Sequence, residues 1–472
     1  MSENKKKIVD TIMVTNLGIN KRLDNYFGIK EINTDGKSFI KQGISVLMTY
    51  TFIHTLTGTF FILYILQFLD FTELGLILGI QFLIQVLTDY PTGAIGDYIG
   101  QKKVMALSAF TFGLGFLIFT LSNDFMGFAC AMILIAFAQA QNSGAWGAWF
   151  DNNYKEYVPE DLDRRTYSFI FGKLQAIQNI NMATSFVLGG LIVGLFGRYN
   201  IFLIQSILLF GFTFIFFKTL NDHPNKKRVK PNFKGYCKLL TDGVIVSYKN
   251  RTLRFIITGI VIGSIGINLW ANFILFPLYE AYGKFDQLIG ISRATIFVAG
   301  ALGFAIAAKF AKKLSSERSK RYLALSQMIS PLTFFGLAYF LVTFFPAQNE
   351  FNLFLYIIST TILSIAFMTF SLQNVLMPRL FLDLIPDSNR NSVYSLMPTL
   401  TQLFGLPAVV LGGYIIDTFG VGSSILFLLT FTFTGGLFIG FAILFQKKPS
   451  DVQLISTEEI LESSDPIEIA KS

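Results

Sequence analysis

The chain has 472 residues, of which 52% are hydrophobic and only 14% charged, and its mean hydropathy is +0.54. That balance excludes an ordinary soluble enzyme of this size and indicates a polytopic membrane protein. A net charge of +8 would suit nucleic acid, but the basic residues fall between apolar runs instead of on one face, so no nucleic-acid partner is expected.

Lys5, Lys6 and Lys7 precede a mixed polar segment without a compact apolar core or small-residue cleavage site, so no removable signal peptide is expected. Twelve apolar stretches of the roughly 20 residues needed to cross a bilayer follow. They centre near Tyr50, Gln81, Phe112, Ile135, Thr184, Leu208, Ile265, Phe297, Phe334, Ile362, Gln402 and Phe433. An even number puts both chain ends on one side. Of the 38 Lys and Arg, only Arg198, Lys284 and Arg293 fall on the other side, a bias that sets both ends in the cytoplasm of a plasma-membrane protein. The expected organisation is a cytoplasmic segment over 1–40, a six-helix bundle over 41–220, a linker over 221–253, a second six-helix bundle over 254–446 and a disordered acidic tail over 447–472. Within the linker, Lys238 to Tyr248 mixes apolar and polar residues in a way that suits a short surface helix. Cys130 and Cys237 are placed for neither a bridge nor a zinc site.

The second span ends in Asp89-Tyr90-Pro91-Thr92-Gly93-Ala94-Ile95-Gly96-Asp97-Tyr98-Ile99-Gly100-Gln101-Lys102-Lys103. Gly93, Gly96 and Gly100 recur at three- and four-residue spacing, a side-chain-free strip that lets another helix approach. Pro91 lacks an N–H and crowds the Leu87 carbonyl, which should bend the helix. Asp97 is repelled by the negative end of its own helix and suits the N-terminus of another. Lys102 and Lys103 suit anionic lipid headgroups.

An internal repeat relates the two bundles. Val187-Leu188-Gly189-Gly190-Leu191-Ile192-Val193-Gly194-Leu195-Phe196-Gly197 matches Val410-Leu411-Gly412-Gly413-Tyr414-Ile415-Ile416-Asp417-Thr418-Phe419-Gly420, six spans later. The turns leading into both also agree, Pro159 to Tyr167 and Pro386 to Tyr394 having the same eight-residue step. Two parallel six-helix halves place a transport site at their interface.

With these features the membrane region resembles the major facilitator superfamily of secondary transporters, whose loop between the second and third helices carries Gly-x3-Asp-(Arg/Lys)-x-Gly-(Arg/Lys)-(Arg/Lys). Gly93, Asp97, Gly100, Lys102 and Lys103 match, whereas Tyr98 and Gln101 replace basic residues. Asp89 to Gly93, and Ser143-Gly144-Ala145 leading to Ala148, Trp149 and Asp151, are similar to a group of prokaryotic members. The resemblance implies an all-α membrane fold of twelve transmembrane helices in two pseudo-symmetric six-helix bundles. It also implies a conformational latch at Gly93, Asp97, Gly100, Lys102 and Lys103, meeting the start of the eleventh helix near Asn391 and Ser392. In the second half Ala307 stands where Asp97 stands in the first. The family's proton-linked drug antiporters carry Gly-Pro before the Gly-Gly of the fifth helix, where this chain has Ser185 and Phe186, and an arginine in the fourth helix that is missing here.

The resemblance turns helices one, four, seven and ten toward a central cavity, and each shows a polar stripe at helical spacing. Tyr50, His54 and Thr57 lie on the first, Gln139, Asn142 and Trp146 on the fourth, Ser264, Asn268 and Asn272 on the seventh, and Thr360, Ser364 and Ser371 on the tenth. Neutral hydrogen-bonding groups dominate, facing either the cavity or neighbouring helices. Coupling candidates are the ionisable groups at membrane depth. His54 has a titration range suited to a proton relay, although a packed histidine is the plainer reading. Asp89 lies about 12 Å from Asp97 along a helix, with Lys173 or Asp151 as possible partners. Arg293 is expected to snorkel to the surface, with attraction of an anionic solute as the alternative.

Phosphate loops, metal spacings and nucleophile–base pairs are missing from the sequence, so neither enzymatic chemistry, a cofactor nor a metal is expected. The leading expectation is a monomeric secondary transporter of a small neutral or amphiphilic organic solute working by alternating access, with export favoured. A proton- or cation-coupled uptake symporter is the alternative, and a membrane sensor or scaffold without transport a third. Asp97→Ala is expected to shift the ensemble away from the outward-open state, read as altered accessibility labelling of the outer cavity; unchanged labelling would overturn the latch.

Overall fold

Backbone polar groups inside a bilayer have only each other as partners, so long apolar runs form helices. The computed structural model describes residues 22–142, 145–161, 165–220, 233–313, 316–373, 384–385 and 390–445. The first span is two pieces, α1 (Thr34–Thr55) and α2 (Phe61–Ile65). There follow α3 (Phe71–Ile99), α4 (Gln101–Leu121), α5 (Phe125–Asn142) with α6 (Ala145–Tyr157), α7 (Arg165–Phe196) and α8 (Arg198–Thr219). The second half begins with α9 (Phe233–Lys249). It continues through α10 (Arg251–Leu269), a π-helical turn (Trp270–Ile274), α11 (Leu275–Gly283), α12 (Asp286–Lys313), α13 (Ser316–Phe344), α14 (Leu353–Gln373) and α15 (Arg390–Leu444).

Ten of the helices among the described residues are long and apolar enough to cross a membrane. The last of them is two helices joined at Gly420, whose φ of 72° interrupts α15. The first expected span is α1, which carries Asp35, Lys37 and Lys41 and is not among the ten. Asn33 caps α1 by accepting from the Gly36 N–H at 2.6 Å, so this helix begins inside the segment assigned above to 1–40. The surface helix expected over Lys238 to Tyr248 is the longer α9, which packs on α10 and α15.

The two halves meet along α3–α15 and α7–α12, and the internal repeat explains how. A Cβ on Gly190 would lie 2.8 Å from the Asp286 carbonyl, and one on Gly413 would collide with the Phe71 carbonyl, each at the start of the facing helix. Four residues into those helices the relation is returned, Gly290 approaching the Phe186 carbonyl and Gly75 the Val409 carbonyl. Gly189 and Gly412 close on Leu56 and Leu269 within their own halves. The repeat ends in Gly197 and Gly420 with φ of 85° and 72°, a backbone region that side chains with a Cβ rarely adopt.

These crossings lie at the end of the bundle opposite Lys102 and Lys103, here called the sealed face, and polar bonds join the two halves there. The Asp417 carboxylate accepts from the Thr72 N–H at 2.9 Å and the Thr72 hydroxyl at 2.7 Å, capping α3 from the other half where the helix dipole favours a negative charge. Arg198, at the start of α8, reaches Glu280 at 2.6 Å and Asp286 at 2.8 Å in the second half.

Gly413→Val is expected to shift the equilibrium toward the state open on this face by roughly 1–3 kcal/mol, the usual cost of overpacking. Spin labels at the exposed Tyr199 and Phe285, one in each half, should report the longer separation. Asp417→Ala should shift the same distance distribution in the same direction by about 0.5–2 kcal/mol, the range for a lost cap. Asp417→Asn, which still offers an acceptor, should shift it less.

Candidate functional site

Below the sealed face a cavity of about 510 Å³ lies between α3, α10 and α15, a size typical of small-molecule sites. Its polar lining is Gln85, Asn268, Thr401 and Gln402, and Phe82 and Met397 supply apolar wall. These lining residues are uncharged. Pro398 also faces it and, having no N–H, contributes no backbone donor there.

The lining continues into a chain of four amides. Gln402 Nε2 donates to Gln85 Oε1 at 3.1 Å, Gln85 Nε2 donates to Gln139 Oε1, and Gln81 Nε2 donates to the same Gln139 oxygen at 2.8 Å. The chain runs from α15 of the second half to α3 and α5 of the first, crossing the interface between them. Gln139 was expected at the cavity. Gln85 was missed, and Gln81 and Gln402 were seen only as the centres of their spans. An amide at mid-membrane depth was the signal that marked them.

The seventh-span stripe is rearranged by the π turn. Asn268 lines the cavity, but the turn over Trp270–Ile274 inserts an extra residue into the helical register, a device frequent at functional sites. Asn272 consequently turns back to donate to the Asn268 carbonyl at 2.8 Å, and Ser264 bonds within its own helix to the Val261 carbonyl.

The first-span stripe, expected at the central cavity, has its described contacts within its own half. Tyr50 is buried against Phe212 and Phe216 of α8, its hydroxyl toward Ser108 without a hydrogen bond of normal geometry. His54 stacks on Tyr50 and meets Phe112 edge to face, and its Nδ1 is enclosed with no hydrogen-bond partner. Thr57 is buried and donates to Gln205. A four-residue step selects a helix face without selecting the neighbour that covers it. Trp146 stacks on Phe150 and Phe171 with Nε1 enclosed and unpartnered, and the Ser364 hydroxyl is enclosed in the same way. Asn142 ends α5 half-buried.

Of the coupling candidates, Lys173 lies over the rings of Tyr26 and Phe169, 4.8 and 5.4 Å from their centroids. Asp89 is half-buried on α3. Gly100, in the expected latch, has a φ of 103° where α3 passes into α4, with Lys102 half-buried and Lys103 exposed beside it. Gly93 lies within α3, and the side chains of Asp97, Asn391 and Ser392 lie outside the described residues, so the latch contact lies there too. Where the drug antiporters carry Gly-Pro, the Ser185 hydroxyl is 2.6 Å from that of Thr55, and Phe186 lies against Arg293.

Arg293 does not snorkel. Its Nη1 donates to the Gly58 carbonyl in the break between α1 and α2, and its guanidinium lies 4.2 Å from the centroid of Phe186, 4.7 Å from Phe276 and 5.7 Å from Phe297. The side chain points across the interface between the halves, because α7 and α12 approach so closely at Gly190 and Gly290 that the nearest acceptor is main chain of the first half.

Comparisons with known proteins agree with this architecture. A 214-residue stretch is 28% identical to an uncharacterized transporter of Buchnera aphidicola subsp. Baizongia pistaciae (strain Bp), covering 43% of this chain and 48% of that protein, so the chain spans about half the length of the curated relative it matches. Crystal structures of the nucleoside transporter NupG and of a point mutant of it superpose with TM-scores of 0.68 and 0.65 at 11% and 14% identity, over 87% of this chain and 100% of each of theirs. At that identity the likeness is one of fold. The family model of the Major Facilitator Superfamily matches residues 43–395, from the first span into the start of α15. The chain belongs to the Major Facilitator Superfamily, a family of multi-pass membrane transporters.

Proposed function

We propose that the protein is a secondary active transporter that moves a small neutral or amphiphilic organic solute through the amide-lined cavity by alternating access, working as a monomer with both termini in the cytoplasm. The observation that carries this reading is the glutamine chain from Gln402 through Gln85 to Gln139 and Gln81. Amides offer a donor and an acceptor at each site and no charge, which suits hydroxyl, carbonyl and amine groups on a neutral solute. The Gln402–Gln85 bond also crosses between the halves, so a solute that replaces it changes what holds them together at that level. A difference in affinity between the two states is what allows a ligand to shift their balance.

Nucleosides, the solutes named for the NupG structures, are neutral and rich in such groups, and they belong in the first solute panel. A secondary transporter runs down whichever gradient is imposed, so the export preference expected from the sequence forms no part of this reading. Proton coupling is the second reading, favoured by the enclosed, unpartnered Nδ1 of His54, with Asp89 and Lys173 as further coupling candidates and Asn142, Trp146 and Ser364 as second-rank cavity residues.

The test is flux in proteoliposomes against a panel of nucleosides and other neutral solutes, with and without a pH gradient. Gln85→Leu and Gln402→Leu are each expected to raise KM about 2- to 12-fold, one net hydrogen bond of roughly 0.5–1.5 kcal/mol. Absence of flux in every gradient would overturn the transport reading. Flux indifferent to pH and unchanged by His54→Ala and Asp89→Asn would overturn coupling alone.

A further inference from the structure

Arg293 stands seven residues into α12, about 10 Å from its start by the helical rise. A full charge at that depth needs compensation, and what surrounds it is incomplete. One neutral carbonyl, that of Gly58, accepts from Nη1, and the rings of Phe186, Phe276 and Phe297 present their negative faces to the cation. Among the described residues no carboxylate forms an ion pair with it. Its Nε is enclosed and has no hydrogen-bond partner. Tyr279 lies within electrostatic reach of the guanidinium, packs on the same Phe276, and its hydroxyl is likewise enclosed without a partner. The chain segments that contribute these groups are all described.

Two unpartnered donors and a positive charge thus lie within electrostatic reach of one another, and among the described residues the guanidinium's one hydrogen-bond acceptor is the Gly58 carbonyl. The complement of that arrangement is a small group with negative charge and lone pairs: the guanidinium fork takes an oxyanion on its Nε edge and a phenol O–H donates to the same ion. We infer that Arg293 and Tyr279 form a binding site for a small monovalent anionic group, supplied either by a carboxylate on the transported solute or by a free inorganic anion. The first source keeps the transport reading above but narrows its solute to an amphiphile that carries a carboxylate; the second does not depend on that reading.

Access follows from the same contacts. Gly58 and Phe186 belong to the first half, whereas Arg293, Tyr279, Phe276 and Phe297 belong to the second. Parting the halves on the sealed face removes the carbonyl and one ring from Arg293 together, which frees Nη1 as a donor and opens a path to the cation. The anion therefore binds the state open on that face more tightly than the sealed one.

The test is equilibrium binding to the purified full-length chain in detergent, using radiolabelled chloride, radiolabelled benzoate and the neutral isostere benzamide. Saturable one-site binding of at least one of the two anions, without competition by benzamide, is expected. Benzoate alone would identify a carboxylate on the solute as the source, and chloride alone a free anion. Arg293→Gln should weaken that binding about tenfold or more, as for a lost charged hydrogen bond, while Tyr279→Phe should weaken it several-fold. Arg293→Lys keeps the charge without the planar fork and should retain part of the affinity, so Tyr279→Phe and Arg293→Lys carry the test if Arg293→Gln fails to fold. No saturable binding of either anion, equal competition by benzamide, or unchanged affinity in the Arg293 and Tyr279 variants would overturn the site and leave Arg293 as a bridge to Gly58. Because the readout is binding, it stands apart from the flux measurement that tests the transport reading.

Discussion

The organising constraint is the approach of backbone to backbone where the two halves cross. At α7–α12 and at α3–α15 a glycine of one half stands against a carbonyl at the start of a helix in the other, and a second glycine four residues along returns the contact. Lipid tails are as apolar as the helices, so association within the bilayer depends on close packing and polar bonds, not on exclusion of water. Small residues supply the first and the charged contacts at the rim supply the second. The amide cavity lies between helices that are drawn together at these crossings.

The polar chemistry inside the molecule divides by depth. Near the sealed rim the contacts between halves are charged: Asp417 on the N-terminus of α3, and Arg198 with Glu280 and Asp286. At mid-depth they are neutral, through Gln402 and Gln85. Charged groups at the rim stay close to water when the halves part, whereas neutral amides can lose a partner inside the membrane at a smaller cost than ions can. Arg293 is the exception, a cation held between these two levels.

Much of the fold was legible because it depends on composition and repetition. Apolar length placed the spans, and the repeated Val-Leu-Gly-Gly segment revealed both the six-helix period and the residues that later prove to be at the crossings. The site was less legible. A spacing of four places Tyr50, His54 and Thr57 on one face of α1 but does not say that α4 and α8 cover that face. The π turn that re-aims Asn272 comes just before Pro277, whose missing N–H loosens the ladder there, but a proline alone does not say which side chain is re-aimed. Asp417 falls at a glycine position of the first-half repeat, Gly194, so the comparison of halves that found the repeat passed over the one substitution that carries a charge. The snorkelling expected of Arg293 assumed a side chain free to follow the lipid, and the close α7–α12 crossing turns it inward.

The break in the first span has a further consequence. Between α1 and α2 the helical ladder lapses, and the carbonyls of Ile53 and His54 both accept from Nε2 of the buried Gln205 on α8, while Thr57 donates to its oxygen. A single amide from elsewhere in the first half thus fixes the loosened segment, so the break is a rigid fitting and not a flexible joint. The Gly58 carbonyl consequently travels with the whole six-helix unit. Its contact with Arg293 is made or lost at full strength, in register with the two glycine crossings, and the three together behave as one detent.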